Sequence, residues 1–304
     1  MKRIMILVAL TLTLGLALAQ EVVLNDGNAN SYAAGYFVGM RQFGEITLTA
    51  PKNAYWGYVA KMDPDGNWLW AKAIESSYVS AVNGLAVGDG VYAAGSIYLY
   101  RRSNDGLLVK YDEDGKLLWQ TQFGGGLSDW CAGVSAVNGK VWAVGSVGVG
   151  KKVPLQFGTI TQAAPTSKYA NMQAGFIAQL DPDGNWLWVK RLPNNGAAQV
   201  LFVVADGDCA YVAGQYTQYN QTQMILGDSK LPFRGGIDAF IGKIDAKGNW
   251  LWATALAGSG ADYIYSIDLQ DGVLQIAGET GGMVVDGVAY PAGAYNLKMA
   301  TDKD

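Results

Sequence analysis

The sequence predicts an all-β fold: a β-propeller, most simply of five blades with about four antiparallel strands each and an incomplete fifth blade. Three observations lead there. Glycine supplies 40 of 304 residues, and only 16% of the chain is charged. Short apolar runs punctuated by glycine favour strands over helices. One short phrase ending in glycine returns along the chain, and a second phrase with a hairpin signal alternates with it.

The first 19 residues read as a leader and stand outside this fold. Lys2 and Arg3 form a charged end, Ile4 to Leu16 an apolar stretch, and Ala17-Leu18-Ala19 a small-residue cleavage pattern. The apolar run is shorter than the ~20 residues that a spanning helix needs, so no membrane span is expected after leader removal. Residues 20–304 then form a single propeller domain, exported to the periplasm, the cell surface or the medium.

The first phrase is an aromatic or apolar residue, two small or apolar residues, then glycine. It appears at Tyr32–Gly35, Tyr92–Gly95, Trp142–Gly145 and Tyr211–Gly214, and as Gln275-Ile276-Ala277-Gly278. The glycines fall 60, 50, 69 and 64 residues apart, a period that means radial repetition. The second phrase runs from Ala60 to Trp70 around Asp63-Pro64-Asp65-Gly66 and recurs from Lys110 to Trp119, Gln179 to Trp188 and Lys243 to Trp252. Proline presets such a turn and glycine takes its positive-φ position. A fifth copy begins at Lys298-Met299, so the outer strand of the last blade is not accounted for.

In the fourth repeat the strands are expected near 199–205, 209–216, 239–245 and 249–256. Asn83-Gly84 and Asp271-Gly272 read as tight turns between first and second strands. The loops between second and third strands are longer, and Gln42–Thr47 is echoed by Gln156–Thr161 and more loosely by Ile225–Gly227.

Asp238–Asp245, followed by Gly248-Asn249-Trp250-Leu251-Trp252 and Gly258–Asp262, closely resembles the SBBP-type bacterial β-propeller repeat. The resemblance spans essentially all of 21–304. It implies the propeller and an export route, and it brings no catalytic residues with it.

The absence of histidine from the whole chain removes Ser-His-Asp and Cys-His catalysis and His-ligated zinc. Of 22 basic and 26 acidic side chains, two basic ones lie in the leader. The remaining acidic balance disfavours nucleic acid, which needs clustered Lys and Arg. Cys131 and Cys209 fall at different strand positions, where buried free thiols are the simpler expectation than a bridge.

Residues i and i+2 of a regular strand share a face. Trp68 with Trp70, Trp186 with Trp188 and Trp250 with Trp252 therefore read as aromatic pairs for blade packing or sugar stacking. The Asp-x-Asp-Gly turns lack the glycine and glutamate positions of an EF-hand. Asp129 and Asp262 follow Gly-rich turns and read as ties to backbone groups. Lys61, Lys110, Lys243 and Lys298 occupy matching positions, where carboxylates of neighbouring blades are the expected partners. No phosphate-loop lysine accompanies the glycines, and no cofactor or metal is expected.

The candidate binding residues lie on the face bearing the long loops: Tyr98, Tyr100, Arg101, Arg102, Trp130, Tyr169, Tyr219, Arg234 and Tyr263, with Arg41 and Phe233 beside them. Aromatics and arginines on variable loops over a rigid scaffold make a recognition surface. The expected function is a non-enzymatic module that binds a protein or carbohydrate at the envelope or outside the cell. The alternatives are an envelope-assembly role in which the unfinished blade accepts a strand, a carboxylate hydrolase, or a quinone-dependent enzyme, because the Lys-Met-Asp phrase resembles quinoprotein blades.

Overall fold

A computed structural model describes residues 6–8, 22–26, 29–98, 103–150, 153–163, 172–193, 197–217, 223–285 and 288–301. They form a five-bladed β-propeller of antiparallel sheets. Ile6–Val8 (β1), within the segment read as the leader, pairs with Val22–Asn25 (β2). Blade one continues outward through Ser31–Val38 (β3), a hairpin of Met40–Phe43 (β4) and Ile46–Thr49 (β5), Tyr55–Met62 (β6) and Trp68–Ile74 (β7). Blade two is Ser80–Val87 (β8), Val91–Tyr98 (β9), Asn104–Tyr111 (β10) and Leu117–Gly124 (β11). Blade three has Trp130–Val137 (β12), Lys140–Val149 (β13), a hairpin of Leu155–Phe157 (β14) and Ile160–Gln162 (β15), Met172–Leu180 (β16) and Trp186–Arg191 (β17). Blade four has Ala198–Asp206 (β18), Cys209–Tyr216 (β19), a hairpin of Gln223–Leu226 (β20) and Ser229–Pro232 (β21), Asp238–Asp245 (β22) and Trp250–Leu256 (β23). Blade five has Tyr263–Gln270 (β24), Val273–Thr280 (β25), a hairpin of Met283–Val285 (β26) and Val288–Tyr290 (β27), and Gly293–Ala300 (β28). Among the described residues, blade five ends at its third strand, in the order β24-β25-β28.

The inner strands of all five blades surround one axial cavity of about 130 Å³, lined by Leu24, Val87, Ala136, Ala205 and Leu269 among others. That shared lining is what makes the arrangement a ring. The repeated glycine of the first phrase has a definite task. Each inner strand of blades two to five carries a β-bulge, at Asn83, Ala132, Leu201 and Tyr265. There its backbone presses on the second strand. A Cβ built on Gly95, Gly145, Gly214 or Gly278 would lie 1.9–2.1 Å from a carbonyl oxygen of the inner strand, so no side chain fits. Asn83-Gly84 is therefore this bulge and not a turn; the chain reverses at Gly88–Gly90 instead. Asp271-Gly272 is the turn expected.

A second set of bulges corrects the reading of the tryptophans. Met62 pairs with Trp68 and Lys61 with Trp70, so Leu69 is the extra residue and the two indoles point to opposite faces. The same slip leaves Leu118, Leu187 and Leu251 unpaired. These four leucines are half-exposed, 48–53%. Trp70 joins the core shared with blade two, whereas Trp68 packs on its own blade's hairpin, edge-on to Phe43 at 4.9 Å. The aromatic pairs expected from i, i+2 spacing do not form.

What the indole after the bulge does is repeated at three junctions between blades. Trp70, Trp119 and Trp188 each donate Nε1–H to a backbone carbonyl in the outer turn of the next blade: Glu113 at 3.0 Å, Pro182 at 2.8 Å and Ala246 at 2.8 Å. The ring also covers that turn's glycine, with an ideal Cβ on Gly115 or Gly184 falling 2.7 or 2.8 Å from Trp70 or Trp119. Lysine reinforces the link: Lys61 and Lys110 donate to the same Glu113 and Pro182 carbonyls, both at 3.2 Å. Their anticipated partners, carboxylates of the neighbouring blade, are not what they meet. The carboxylates that Lys110 and Lys243 do reach, Asp89 at 3.0 Å and Asp206 at 3.7 Å, belong to their own blades.

Adjacent outer-strand residues should therefore respond very differently. Trp70→Ala removes a buried indole and its hydrogen bond and should cost about 3–5 kcal/mol. Leu69→Ala, at the exposed bulge, should change stability by no more than about 0.5 kcal/mol. Chemical denaturation of the two variants measures both.

Candidate functional site

The chain enters each blade, turns from second to third strand and leaves for the next blade at one end of the ring, so those segments share a rim. Of the candidate residues, Tyr98, Trp130, Arg234 and Tyr263 are placed there, on blades two, three, four and five respectively. Tyr100, Arg101, Arg102, Tyr169 and Tyr219 lie outside the described residues. The four that are placed are not brought together. Tyr263 stacks on Tyr265 at 6.4 Å, Arg234 is exposed, with its backbone N–H held by Asp238 at 3.0 Å, and Trp130 is half-buried where β12 begins. Arg41 and Phe233 are spent on packing: the Arg41 guanidinium lies 4.2 Å over the Tyr58 ring, and Phe233 packs on Tyr216 at 5.0 Å.

Tyr98 belongs to a cluster the sequence did not disclose. It meets Tyr78 edge-on at 6.0 Å, and Tyr55 meets Tyr36 at the same distance. The two pairs are joined across the seam between blades one and two. Tyr55 N–H donates to the Tyr78 carbonyl at 2.8 Å, and Tyr98 N–H donates to the Val79 carbonyl at 2.7 Å. Ser77 Oγ donates to the Tyr98 carbonyl at 2.9 Å. The linker that carries Tyr78 is thus pinned on both sides by backbone bonds, which fixes its ring without burying it. Tyr55 is 40% and Tyr78 52% exposed. The cluster offers aromatic faces and phenol edges on a rigid support. The clue in the sequence was tyrosine at the end or entry of three different strands and one linker, a pattern with no fixed spacing.

A cleft of about 400 Å³ opens on the same rim, between the end of β11 and the base of the β14–β15 hairpin. Asp105, Gln122, Gln156, Val153 and Pro154 line it. Its floor is structural. Asp129, completely buried, accepts from the backbone N–H of Gly125 at 2.9 Å and of Gly148 at 2.8 Å. Asp262 does the same work in blade five, accepting from Gly258 at 2.8 Å, Gly281 at 3.2 Å and the Thr280 hydroxyl. Both aspartates tie loops at blade junctions, as the sequence suggested. In the outer turns, Asp63 accepts from Asn67 N–H at 2.8 Å and Nδ2 at 3.0 Å, and these bonds hold its carboxyl below the usual range. Among the described residues, no group of three His, Cys, Asp or Glu side chains is placed to hold a metal ion. The cysteines are unbridged; Cys131 is buried and directs its thiol at the Val144 carbonyl, 3.4 Å away.

No protein-family model matches the chain, and no curated protein does. Solved structures match at low identity. They include a phage phi92 endosialidase (11% identity, TM-score 0.46, 94% of this chain and 56% of that one). A protein of unknown function from Bacteroides caccae matches at 12% identity and TM-score 0.35, over 74% of this chain and 80% of that one. YCF48 bound to D1 peptide matches at 13% identity and TM-score 0.27, over 86% and 74%. The chain spans little more than half the length of the endosialidase.

Burial raises the Asp129 carboxyl to about 7, outweighing the two backbone donors that favour the anion. Because this value is raised above the unfolded one, near 3.9, the stability it contributes is complete below about pH 4 and is lost as pH rises through about 7. The carboxyl-carbon resonance of Asp129 should titrate near 7, and Asp129→Asn should flatten that part of the stability profile measured by urea denaturation.

Proposed function

We propose that the protein is an exported, non-enzymatic propeller of the SBBP-repeat type that binds a protein or carbohydrate through the loop rim of blades one and two. The observation that carries this reading is the Tyr36–Tyr55–Tyr78–Tyr98 cluster, in which Tyr55 and Tyr78 are exposed and Tyr36 and Tyr98 half-buried. Aromatic side chains lose little conformational entropy on binding and present large amphipathic faces, which suits them to protein hot spots and to the apolar faces of sugar rings. The sequence continues from Tyr98 through Tyr100, Arg101 and Arg102. A hydrolase would need free carboxylates, and Asp129 and Asp262 spend their oxygens on loop ties. No helix of the described residues is long and apolar enough to cross a membrane, and the acidic balance of the chain does not suit nucleic acid.

Two measurements test the reading. The double variant Tyr55→Ala/Tyr78→Ala should lose capture of envelope proteins or glycan-array ligands while its melting temperature stays within about 2 °C of wild type, since exposed side chains contribute little to stability. Unchanged capture sinks the assignment of the rim. Export with leader removal predicts that the protein recovered outside the cytoplasm begins at Gln20 by intact-mass analysis; a cytoplasmic chain beginning at Met1 refutes it.

A further inference from the structure

All five blades contribute to the axial cavity, and small residues at defined places give it its shape. Toward the loop rim the inner strands interlock. A Cβ on Gly84 would lie 2.9 Å from the Ala132 carbonyl oxygen, and one on Gly133 would lie 3.2 Å from that of Leu201. The axial space narrows there to about 70 Å³, between walls that include Leu85, Val134 and Val203. Nearer the turns between first and second strands it opens to about 130 Å³, with the same three side chains in its wall. At that level the inner strands present Val87, Ala136, Ala205 and Leu269 at one matched position, opposite Val91, Val141, Ala210 and Leu274 of the second strands. Blades three and four carry alanine where blades two and five carry larger side chains, and that difference makes the room.

An inner strand turns one backbone edge to the axis, and unpaired edge groups would make such a space wet. Here the ring's own side chains answer several of them. Ser135 Oγ accepts from Ala205 N–H at 3.0 Å, Asn83 Nδ2 donates to the Cys131 carbonyl at 3.0 Å, and Asp268 accepts from Leu269 N–H at 2.9 Å. The second Asp268 oxygen accepts from Gln270 Nε2 at 2.7 Å. Among the described residues, no buried side-chain nitrogen or oxygen left without a partner belongs to the lining. A buried water needs two to four polar partners, whereas an aliphatic cavity of about 150 Å³ stays dry and takes up benzene. From this combination of size and satisfied polarity we infer that the axial cavity is a binding site for a small neutral apolar molecule, of the size and chemistry of a single aromatic ring. Leu85, Val134, Val203 and Leu269 supply the contact surface. The carboxylate in the wall, Asp268, is committed to donors of its own strand, so a charged ligand gains no partner there. The site lies on the axis, apart from the tyrosine cluster, and does not depend on the reading of the rim.

The test titrates the intact protein, labelled at its leucine and valine methyl groups, with benzene and follows the methyl resonances by NMR. Val87, Val134, Val203 and Leu269 should shift saturably, with one benzene bound per chain. Phenol, whose hydroxyl would have to be buried without a partner, should bind at least about tenfold more weakly, or roughly 1.4 kcal/mol. Ala136→Leu and Ala205→Leu each fill the wide part of the cavity and should abolish the saturable shifts; the second variant stands in should the first fold poorly. Tyr55→Ala/Tyr78→Ala should bind benzene as wild type does, which separates this site from the rim. The proposal is overturned if the wild-type methyls show no saturable shift, if binding survives both leucine variants, or if phenol binds as tightly as benzene. Ordered water filling the cavity in a high-resolution crystal structure would equally overturn it.

Discussion

Blade is held to blade by an indole N–H that reaches a turn carbonyl of its neighbour, and much of the repeat exists to make that reach possible. The donor is the tryptophan that follows the bulged leucine in the outer strands of blades one, two and three. It points at the next blade only because the leucine before it is bulged out of the ladder. Without the bulge both tryptophans would share a face, and either the hairpin or the neighbouring turn would lose its aromatic partner. The acceptor is free because aspartate and asparagine clasp the turn from inside, leaving the carbonyl of the residue after the aspartate to face outward. A glycine completes the seat, being the residue that both takes the positive φ and admits an indole against its α-carbon. One hydrogen bond of this kind contributes about 0.5–1.5 kcal/mol net. Ring burial adds to the link, and Lys61 and Lys110 join it at two junctions. The lysine is also held over the tyrosine of the second strand in three blades, at 4.9–5.5 Å, so the two repeated phrases meet physically at one point.

The architecture was legible because strand alternation, turn glycines and repeat period are local properties of a sequence. The fourth blade's strands fall within a residue of where the pattern places them. What was not legible is what depends on pairing between strands. A bulge is a statement about two chains' relative register, and nothing in Trp-Leu-Trp announces that its leucine has no partner. Asn83-Gly84 shows the same limit from the other side, since the pair carries a strong turn signal but here sits where the inner strand bulges across Gly95. The lysines were assigned carboxylate partners on charge alone, whereas the carbonyl beneath the neighbouring indole is nearer and already oriented. The echo between Gln42–Thr47 and Gln156–Thr161 did mark real hairpins. The sequence reading took the segments bearing them for display loops, but Phe43 and Phe157 anchor these hairpins to the aromatic core beside Trp68 and Trp186.

That absorption of the hairpins narrows the surface available for recognition. Arg41 and Phe233 are engaged by Tyr58 and Tyr216, and the candidates that remain are dispersed over four blades. The tyrosine cluster survives because Tyr55 and Tyr98 bond through their backbones to the linker between blades one and two. The linker from blade one to blade two is short, its Tyr78 and Val79 carbonyls are bonded to the flanking blades, and the Tyr78 ring is exposed. Rigid backbone with an outward aromatic is a costly arrangement for a solvent-facing surface, and in blades three and four the rim aromatics near the same junctions are turned inward or partly covered.

Repetition also defines where the ring departs from itself. The second strand of blade five replaces the aromatic with Gln275, so Lys298 has no ring opposite it in register, and blade five gives up half of the lysine–aromatic contact that the other lysine blades keep. Blade three makes a related exchange, Trp142 opposite Gln179, but compensates: Trp142 meets Trp188 edge-on at 5.7 Å and Lys190 donates to the Gly248 carbonyl of the next blade. Blade five shows no such substitute among its described residues. Its inward face is as well packed as any other, with Ile276, Tyr295, Leu297 and Met299 buried against blade four. The relaxation is therefore one-sided, confined to the face and edge that look toward blade one. General loss of repeat quality would have loosened both faces, whereas the face toward blade four keeps its full set of buried contacts.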